Sequence, residues 1–183
     1  PPYVHILAPA GYYIPVDTAR APDPRRPGSV LLATLQSTPN WLALAVYSVS
    51  PSLAVTALPS PTINPKSPSD DKEFVASDLN PKSKWRGRTY LAWDDFAATG
   101  KVLTFRALNG QSWEAPIRLA AASGAPDVAV APNGYVAFAS QSGSGGSARV
   151  SHNGARTFLE PRPDPCGCPP RRLAPNGTFA PGP

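Results

Sequence analysis

Residues 70–119, DDKEFVASDLNPKSKWRGRTYLAWDDFAATGKVLTFRALNGQSWEAPIRL, decide the fold. Within them, four short segments either alternate apolar with polar residues or are rich in β-branched and aromatic residues, a pattern typical of strands. Turn-forming residues separate the segments, among them Asn80-Pro81, Thr99-Gly100 and Asn109-Gly110. The pattern predicts four strands, at Glu73–Asp78, Arg88–Phe96, Lys101–Leu108 and Ala115–Leu119.

The third joint, Asn109-Gly110, tolerates the positive φ of a tight hairpin turn, so the strands on either side of it should pair antiparallel. Four antiparallel strands in so short a stretch form a meander that has two faces to bury. Such a unit is stabilised by stacking on copies of itself, as the blades of a β-propeller do. We therefore predict an all-β fold built from four-stranded antiparallel blades.

The same order of strands and turns recurs further along the chain. One strand-like segment, at 127–132, precedes the turn residues Asn133-Gly134, and two more follow them, at 135–141 and 148–151. Asn109-Gly110 and Asn153-Gly154 hold corresponding places, at an offset of about 45 residues that matches the length of a propeller blade. The repeat predicts another blade after the first meander.

Two turns of this repeat resemble the Asp-box, or BNR repeat, of sialidase-like β-propellers, whose pattern is Ser-x-Asp-x-Gly-x-Thr-Trp/Phe. Residues 151–158 (SHNGARTF) match it at Ser151, Thr157 and Phe158, and Asn153 falls on its Asp position. Residues 106–113 (RALNGQSW) resemble a poorer copy, which contains Asn109, Gly110 and Trp113. The wider resemblance, to bacterial BNR-repeat proteins of the exo-sialidase-like type, spans residues 61–158.

The two turns depart from the family pattern. Asn153 stands where the family has Asp, Ala155 where it has Gly, and Leu108 falls on the Asp position of the poorer copy. The box is a structural turn, in which an acidic or amide side chain accepts backbone N–H bonds and an aromatic ring packs between sheets. Asn153 can fill that role, whereas Leu108 cannot. The boxes therefore indicate the fold and not a catalytic activity.

Residues 1–27 are rich in proline and are predicted to form a separate N-terminal segment. Within it, Tyr12-Tyr13-Ile14-Pro15 resembles the start of the first blade in sialidases. The resemblance implies a substrate-binding Arg at the position that Tyr13 occupies. A phenol cannot supply the two-pronged, charged donor that a guanidinium offers to a carboxylate, so under this alignment the position argues against ordinary sialidase activity. The alternative is that Ile14-Pro15 only precedes a strand, where this dipeptide is common.

Residues 28–160 are predicted to hold the blades. Their first part has apolar runs, of which Trp41–Val49 also has a composition compatible with a helix; the others are Val30–Leu35 and Leu53–Leu58. Residues 161–183 are rich in Pro, Arg and Gly and are predicted to form a flexible tail. Cys166 and Cys168 lie there, with too few potential partners for a zinc site, so we predict no metal and no cofactor.

Composition limits the partners. The 183 residues carry a net charge of +5 and no long run of Lys or Arg, which does not favour nucleic-acid binding. No stretch of 18 apolar residues is present, so we predict no membrane span. The resemblance implies a glycan or glycoconjugate partner and a location outside the cell or in the cell envelope.

Glycosidases use two carboxyl groups, or a Tyr with an acidic partner in sialidases. The loop that enters an inner strand of a propeller opens on the central pocket, which favours Asp71 and, one blade later, Asp127 as catalytic residues. Lys72 and Glu73 are predicted to bind substrate beside Asp71. The alternative is that Asp71 and Lys72 only stabilise the loop. Asp94 and Asp95 end a strand before a turn, where exposed or capping carboxylates are expected.

The chain has room for about three blades at 40–45 residues each, too few to close a ring. The blades would belong to a longer protein, assemble with further copies of the chain, or form a degenerate arc. The function predicted from the resemblance is glycan-directed, with hydrolysis of terminal sugars by the complete propeller. The alternatives are a non-catalytic carbohydrate-binding or interaction module and an inactive remnant.

Overall fold

The computed structural model describes residues 18–37, 42–63, 69–96, 102–121, 126–142 and 145–159. Within these ranges every regular element is a β-strand, and the strands form three antiparallel sheets. No helix in this part of the chain is long and apolar enough to cross a membrane. The predicted all-β class, with meanders as its units, is confirmed.

The first sheet has four strands in the order of the chain: β1 (Thr18–Pro22), β2 (Val30–Ser37), β3 (Leu42–Val49) and β4 (Val55–Ala57). The helix-compatible run is thus a strand, since its side chains alternate between two faces that are both largely covered. The first blade begins before the predicted boundary at residue 28. Although Arg20 and Pro22 of β1 are exposed, its backbone pairs with β2 along the whole strand.

The second sheet comes from the stretch that decides the fold. Its strands are β5 (Asp70–Ser77), β6 (Thr89–Asp95), β7 (Val102–Asn109), β8 (Ser112–Trp113) and β9 (Ile117–Ala121). The strands β5, β6, β7 and β9 follow the four predicted positions to within a few residues at each end, whereas the short β8 was not predicted. As predicted, the chain turns back on itself after Asn109, where Gly110 has a φ of +68° and Asn109 pairs with Ser112. Both β8 and β9 pair with β7.

The third sheet contains β10 (Asp127–Val130), β11 (Val136–Ser142) and β12 (Gly145–Ser151). Gly134, at a φ of +80°, turns the chain between the first two of these strands. After β12 the chain reverses again, and Leu159 forms an antiparallel bridge with Val150. The third sheet therefore has the beginning of a fourth strand and repeats the plan of the other two.

Two apolar clusters lie between the sheets. The cluster between the first and second sheets includes Leu31, Leu44, Leu91 and the fully buried Trp93. The cluster between the second and third sheets consists of further buried residues, among them Tyr90, Ala92, Leu119, Val136 and Phe138. The second sheet is covered on both faces, since alternate residues of β6 enter opposite clusters.

The inner strands lie side by side, with β5 packed against both β1 and β10. This is the stacking of propeller blades, and the three described blades are fewer than the four to eight of a closed propeller. Some of the predictions concern residues outside the described ranges: Tyr13, Trp41, Cys166, Cys168 and the tail 161–183.

Candidate active site

Carboxylates gather at the end of the blades where the inner strands begin. β5 starts with Asp70-Asp71 and the neighbouring β6 ends with Asp94-Asp95, so antiparallel pairing sets Asp70 opposite Asp95 and Asp71 opposite Asp94. Directly opposed residues have Cβ atoms about 4.5–5.5 Å apart. Inner strands of successive blades run in the same direction, which brings Asp127, the first residue of β10, to this end as well.

A β-bulge follows the first two of these residues. Pairing between β5 and β6 shifts between Asp71 and Phe74, so that Lys72 and Glu73 together face the single residue Trp93. Lys72 has a φ of +55°, a conformation that side chains larger than Gly rarely adopt. Bulges of this kind redirect side chains at the ends of strands. Here Glu73 becomes buried, while Phe74 remains 45% exposed.

Asp71 stabilises the bulge. Its Oδ1 accepts a hydrogen bond of 2.8 Å from the backbone N–H of Lys72 and lies 3.8 Å from the Lys72 ammonium. The side chains of Asp71 and Lys72 are 30% and 50% exposed, so the pair stands at the edge of the site and not within the core. Asp127 is exposed on the next blade. The structure thus places Asp71 and Asp127 where solvent, and therefore a ligand, can reach them.

Asp70 holds a different position, buried between the first and second blades. Its Oδ1 accepts a 3.0 Å bond from the indole Nε1 of Trp93. Its Oδ2 accepts bonds from the Thr62 hydroxyl at 2.9 Å and from the Leu44 backbone N–H at 3.3 Å. One carboxylate therefore joins the two strands of its own blade and the preceding blade.

The surroundings of Asp70 change its acidity. Burial raises its pKa to about 6; the hydrogen bond from Thr62 opposes this rise, and the negative charge of Asp95 adds to it. A carboxyl group with such a pKa changes protonation close to neutral pH. Both of its oxygens are already engaged by protein donors, so Asp70 is suited to link the blades and not to contact a ligand.

Asp94 and Asp95 are not exposed, contrary to the prediction. Asp94 is fully buried and Asp95 is 3% exposed, because β6 lies between two neighbouring strands of its own sheet and both faces of that sheet are covered. Glu73 is 4% exposed. The prediction treated the end of the strand as the beginning of an exposed loop. Instead, the acidic end of β6 continues the interior of the blade.

The turn that resembles an Asp-box lies at the opposite end of the third blade. Asn153 Oδ1 accepts bonds from the Ser151 hydroxyl at 2.9 Å and from the backbone N–H groups of Arg156 and Thr157 at 3.1 and 3.0 Å. Asn153 Nδ2 donates to the Thr157 hydroxyl at 2.8 Å, and Phe158 packs edge-on against Phe138. An amide thus performs the turn-closing role expected there.

The poorer copy of the box has a simpler structure. Asn109 and Gly110 form the turn between β7 and β8, where the Ser112 hydroxyl donates to the Asn109 carbonyl at 3.5 Å. Trp113 donates from its Nε1 to the backbone carbonyl of Pro59 at 2.8 Å, which ties the outer part of the second blade to the linker that precedes it. In the described part of the chain, no three His, Cys, Asp or Glu side chains are grouped to hold a metal ion.

Comparison with known proteins supports the fold. The chain is similar in structure to the Hadza microbial sialidase Hz136, with a TM-score of 0.54 and 11% sequence identity over 81% of this chain and 36% of that one. It is also similar to a xylan β-1,4-xylosidase from Bacillus halodurans C-125, with a TM-score of 0.54 and 15% identity over 86% of this chain and 33% of that one. The chain therefore spans about a third of the length of either enzyme.

Comparison at the level of sequence adds nothing to this. No family model and no curated protein sequence matches the chain significantly. The two structures are β-propellers at low sequence identity, so their likeness establishes a propeller fold of the kind found in glycosidases. It does not identify the BNR-repeat family.

Proposed function

We propose that this chain belongs to a glycan-directed β-propeller whose carboxylate-lined end takes part in the hydrolysis of terminal glycosidic bonds. The observation that carries the proposal is the pair of accessible carboxylates, Asp71 and Asp127, at the same end of adjacent inner strands. Glycoside hydrolysis needs two carboxyl groups on either side of the scissile bond, one to protonate the leaving oxygen and one to act as nucleophile or to activate water.

The neighbouring residues have distinct roles in this proposal. Lys72 offers three N–H donors at the mouth of the site, suited to sugar hydroxyls or to an acidic sugar. Glu73 is buried, so it supports the bulge that presents Lys72 and does not itself contact the sugar. The likeness to a sialidase and a xylosidase makes a saccharide the favoured ligand, and such a protein would meet it outside the cell or in the cell envelope.

Three blades provide only part of a closed pocket. The remaining blades would come from additional polypeptide or from a second copy of this chain, and completion by self-association stays a prediction. Activity is therefore expected only from a preparation in which the ring is complete. The oligomeric state should be measured in the same sample as the activity.

The test is hydrolysis of a panel of fluorogenic glycosides, with sialosides and β-xylosides among them. We expect Asp71→Asn and Asp127→Asn to lower kcat/KM by at least about 100-fold, the usual contribution of a positioned acid or base. Asp127→Glu keeps a carboxylate and should retain more activity than Asp127→Asn, which distinguishes chemistry from loss of structure. Circular dichroism should give the same β-sheet spectrum for every variant.

Two results would contradict hydrolysis. One is the absence of turnover on every glycoside by folded wild-type protein in a preparation whose ring is complete. The other is turnover that both Asn variants retain. Saccharide binding without turnover would instead support the carbohydrate-binding alternative.

A further inference from the structure

A groove of about 480 Å³ lies at the other end of the blades, between the first and second sheets. One wall is the turn from β1 to β2, with Pro22, Pro27 and Val30. The other wall begins directly after β5 and includes Leu79 and Arg86. This volume is within the range of sites that hold small ligands, about 300–1,000 Å³.

The two acidic residues that line the groove are already neutralised or bonded. Asp23 is buried, where Arg25 contacts both of its oxygens at 2.9 Å and the Ser48 hydroxyl donates to Oδ2 at 2.6 Å. Asp78 accepts from the Asn80 backbone N–H at 3.0 Å and from the Ser83 hydroxyl. The charge of Asp23 is thus compensated by Arg25, and both oxygens of Asp78 accept hydrogen bonds within its own loop.

Arg86 differs from these residues. It is exposed on the wall of the groove and has no acidic partner among the described residues. Lys82 and Lys84 lie exposed on the same loop, so the positive charge here exceeds the free negative charge. A guanidinium presents paired N–H donors that match a carboxylate or sulfate.

The other features of the groove suit a sugar ring. Leu79 is 47% exposed and Val30 38%, and with the proline rings they form an apolar wall for the C–H face of a saccharide. The Ser29 hydroxyl lines the groove and makes no hydrogen bond within the described part of the chain. No aromatic residue among those described lines it, whereas single-stranded nucleic acids are usually bound on aromatic stacking platforms.

We infer that this groove binds an anionic saccharide, with the carboxylate or sulfate on Arg86 and the sugar ring against Leu79 and Val30. It is a second ligand site, separated by the length of the blades from the carboxylate-lined end. The inference does not rest on the proposed hydrolysis, because it uses none of the residues of that site.

The test is affinity electrophoresis of the full chain in native gels that contain polygalacturonate, dextran sulfate or neutral dextran. We expect retardation by one or both anionic polymers and none by dextran; the two polymers distinguish a carboxylate ligand from a sulfate ligand. Arg86→Gln should weaken binding about tenfold, as expected for loss of a charged hydrogen-bonding partner. Ser29→Ala should weaken it by a smaller factor.

Arg118→Gln is the matched control. Arg118 is exposed on β9, outside the groove, and its replacement removes the same charge from the chain. We expect its binding to stay within about twofold of wild type, the usual effect of an exposed charge that makes no contact with the ligand. Equal weakening by Arg86→Gln and Arg118→Gln would overturn the inference, since net charge alone would then explain binding. No retardation by either anionic polymer, or equally tight binding of single-stranded DNA, would overturn it as well.

Discussion

Acidic residues at the two ends of the blades differ in what surrounds them. At the end where the inner strands begin, Asp70 lies opposite Asp95, and Asp71 opposite Asp94. At the other end, which we call the basic end, no acidic residue of the described strands lies opposite another, and the described acidic side chains are held by basic or hydroxyl partners. The pairs there are Asp23 with Arg25 and Ser48, Asp78 with Ser83, and Glu114 with the buried Arg88.

The difference follows from energetics. A buried charge is costly unless an opposite charge or several hydrogen-bond donors compensate it. The basic end meets this requirement and is therefore suited to join the blades. At the end where the inner strands begin, which we call the acidic end, the bonds that Asp70 accepts do not outweigh its burial and the negative charge of Asp95, so its pKa is raised. Asp70 itself is engaged by protein donors, so the accessible carboxylates Asp71 and Asp127 are the residues at this end where chemistry should be sought.

Packing at the basic end should give the largest effect on stability. Trp85 lies against the turn of the third blade, where the guanidinium groups of Arg88 and Arg156 lie 5.3 and 5.1 Å from the centre of its ring. A Cβ at Gly154 would lie 2.5 Å from this ring. Gly154 also has a φ of +69°. We expect Gly154→Ala to lower the free energy of unfolding by about 2–4 kcal/mol, measured by urea denaturation.

Gly110→Ala is the control for this prediction. Gly110 has nearly the same φ, +68°, but a Cβ placed there would have no neighbour within 4 Å among the described residues. Gly110→Ala should therefore lose only the backbone contribution, about 1 kcal/mol. Equal losses in the two variants would contradict the proposed contact between Trp85 and the turn.

The paired charges at the basic end should have the next largest effect. Arg25→Gln leaves the buried Asp23 carboxylate without its cation and removes the 3.1 Å bond from Arg25 to the Gly110 carbonyl in the second blade. We expect a loss of about 2 kcal/mol in the free energy of unfolding. Arg26→Gln, which removes a single exposed bond to Thr56, should cost less than about 0.5 kcal/mol. Similar losses would show that the Asp23 pair contributes nothing.

The buried carboxyl group of Asp70, at the acidic end, should make the free energy of unfolding depend on pH. The pKa of Asp70 is raised from 3.8 to about 6, so the folded protein binds this proton more tightly than the unfolded chain does. Its contribution to stability therefore rises as pH falls through 6, by about 1 kcal/mol between pH 7 and pH 5. We expect wild type to gain this amount relative to Asp70→Asn over that interval, and parallel pH profiles would contradict the prediction.

Asp23 should behave in the opposite sense. Burial alone would raise its pKa, but the hydrogen bonds from Arg25 and Ser48 and the charge of Arg25 leave it below the usual 3.8. Its stabilising contribution is therefore complete above about pH 4 and is lost below that value. Acid unfolding of wild type, Asp70→Asn and Asp23→Asn, measured in one series, would distinguish the pH-dependent contribution of Asp70 at the acidic end from that of Asp23 at the basic end.

Much of the fold could be predicted from local sequence. Alternation along β5 and turn residues such as Gly110 and Gly134 located strands and hairpins, because strand period and positive φ are properties of a few adjacent residues. The repeat then indicated blades. The start of the first blade was predicted too late, because the prolines and arginines around β1 have no local strand signal even though its backbone completes a sheet.

Fewer features of the candidate site could be predicted from the sequence. Asp71 and Lys72 could be singled out because a loop entering an inner strand has a known position in a propeller. The burial of Asp94 and the bonds of Asp70 to Thr62 and Leu44 could not be found, since they depend on the register between strands and on the neighbouring blade. The one sequence signal for this cluster was that acidic pairs stand at the start of one predicted strand (Asp70-Asp71) and near the end of the next (Asp94-Asp95).

By itself, then, the sequence determined the all-β class, the strands, the turns and the repetition of blades, since these depend on periodicity and backbone preference within short segments. Only the tertiary structure decided which carboxylates are buried and which are accessible, and it alone revealed the groove beside Arg86. Those properties arise where residues from different blades meet. Burial and charge compensation are set by these distant contacts, and no single segment encodes them.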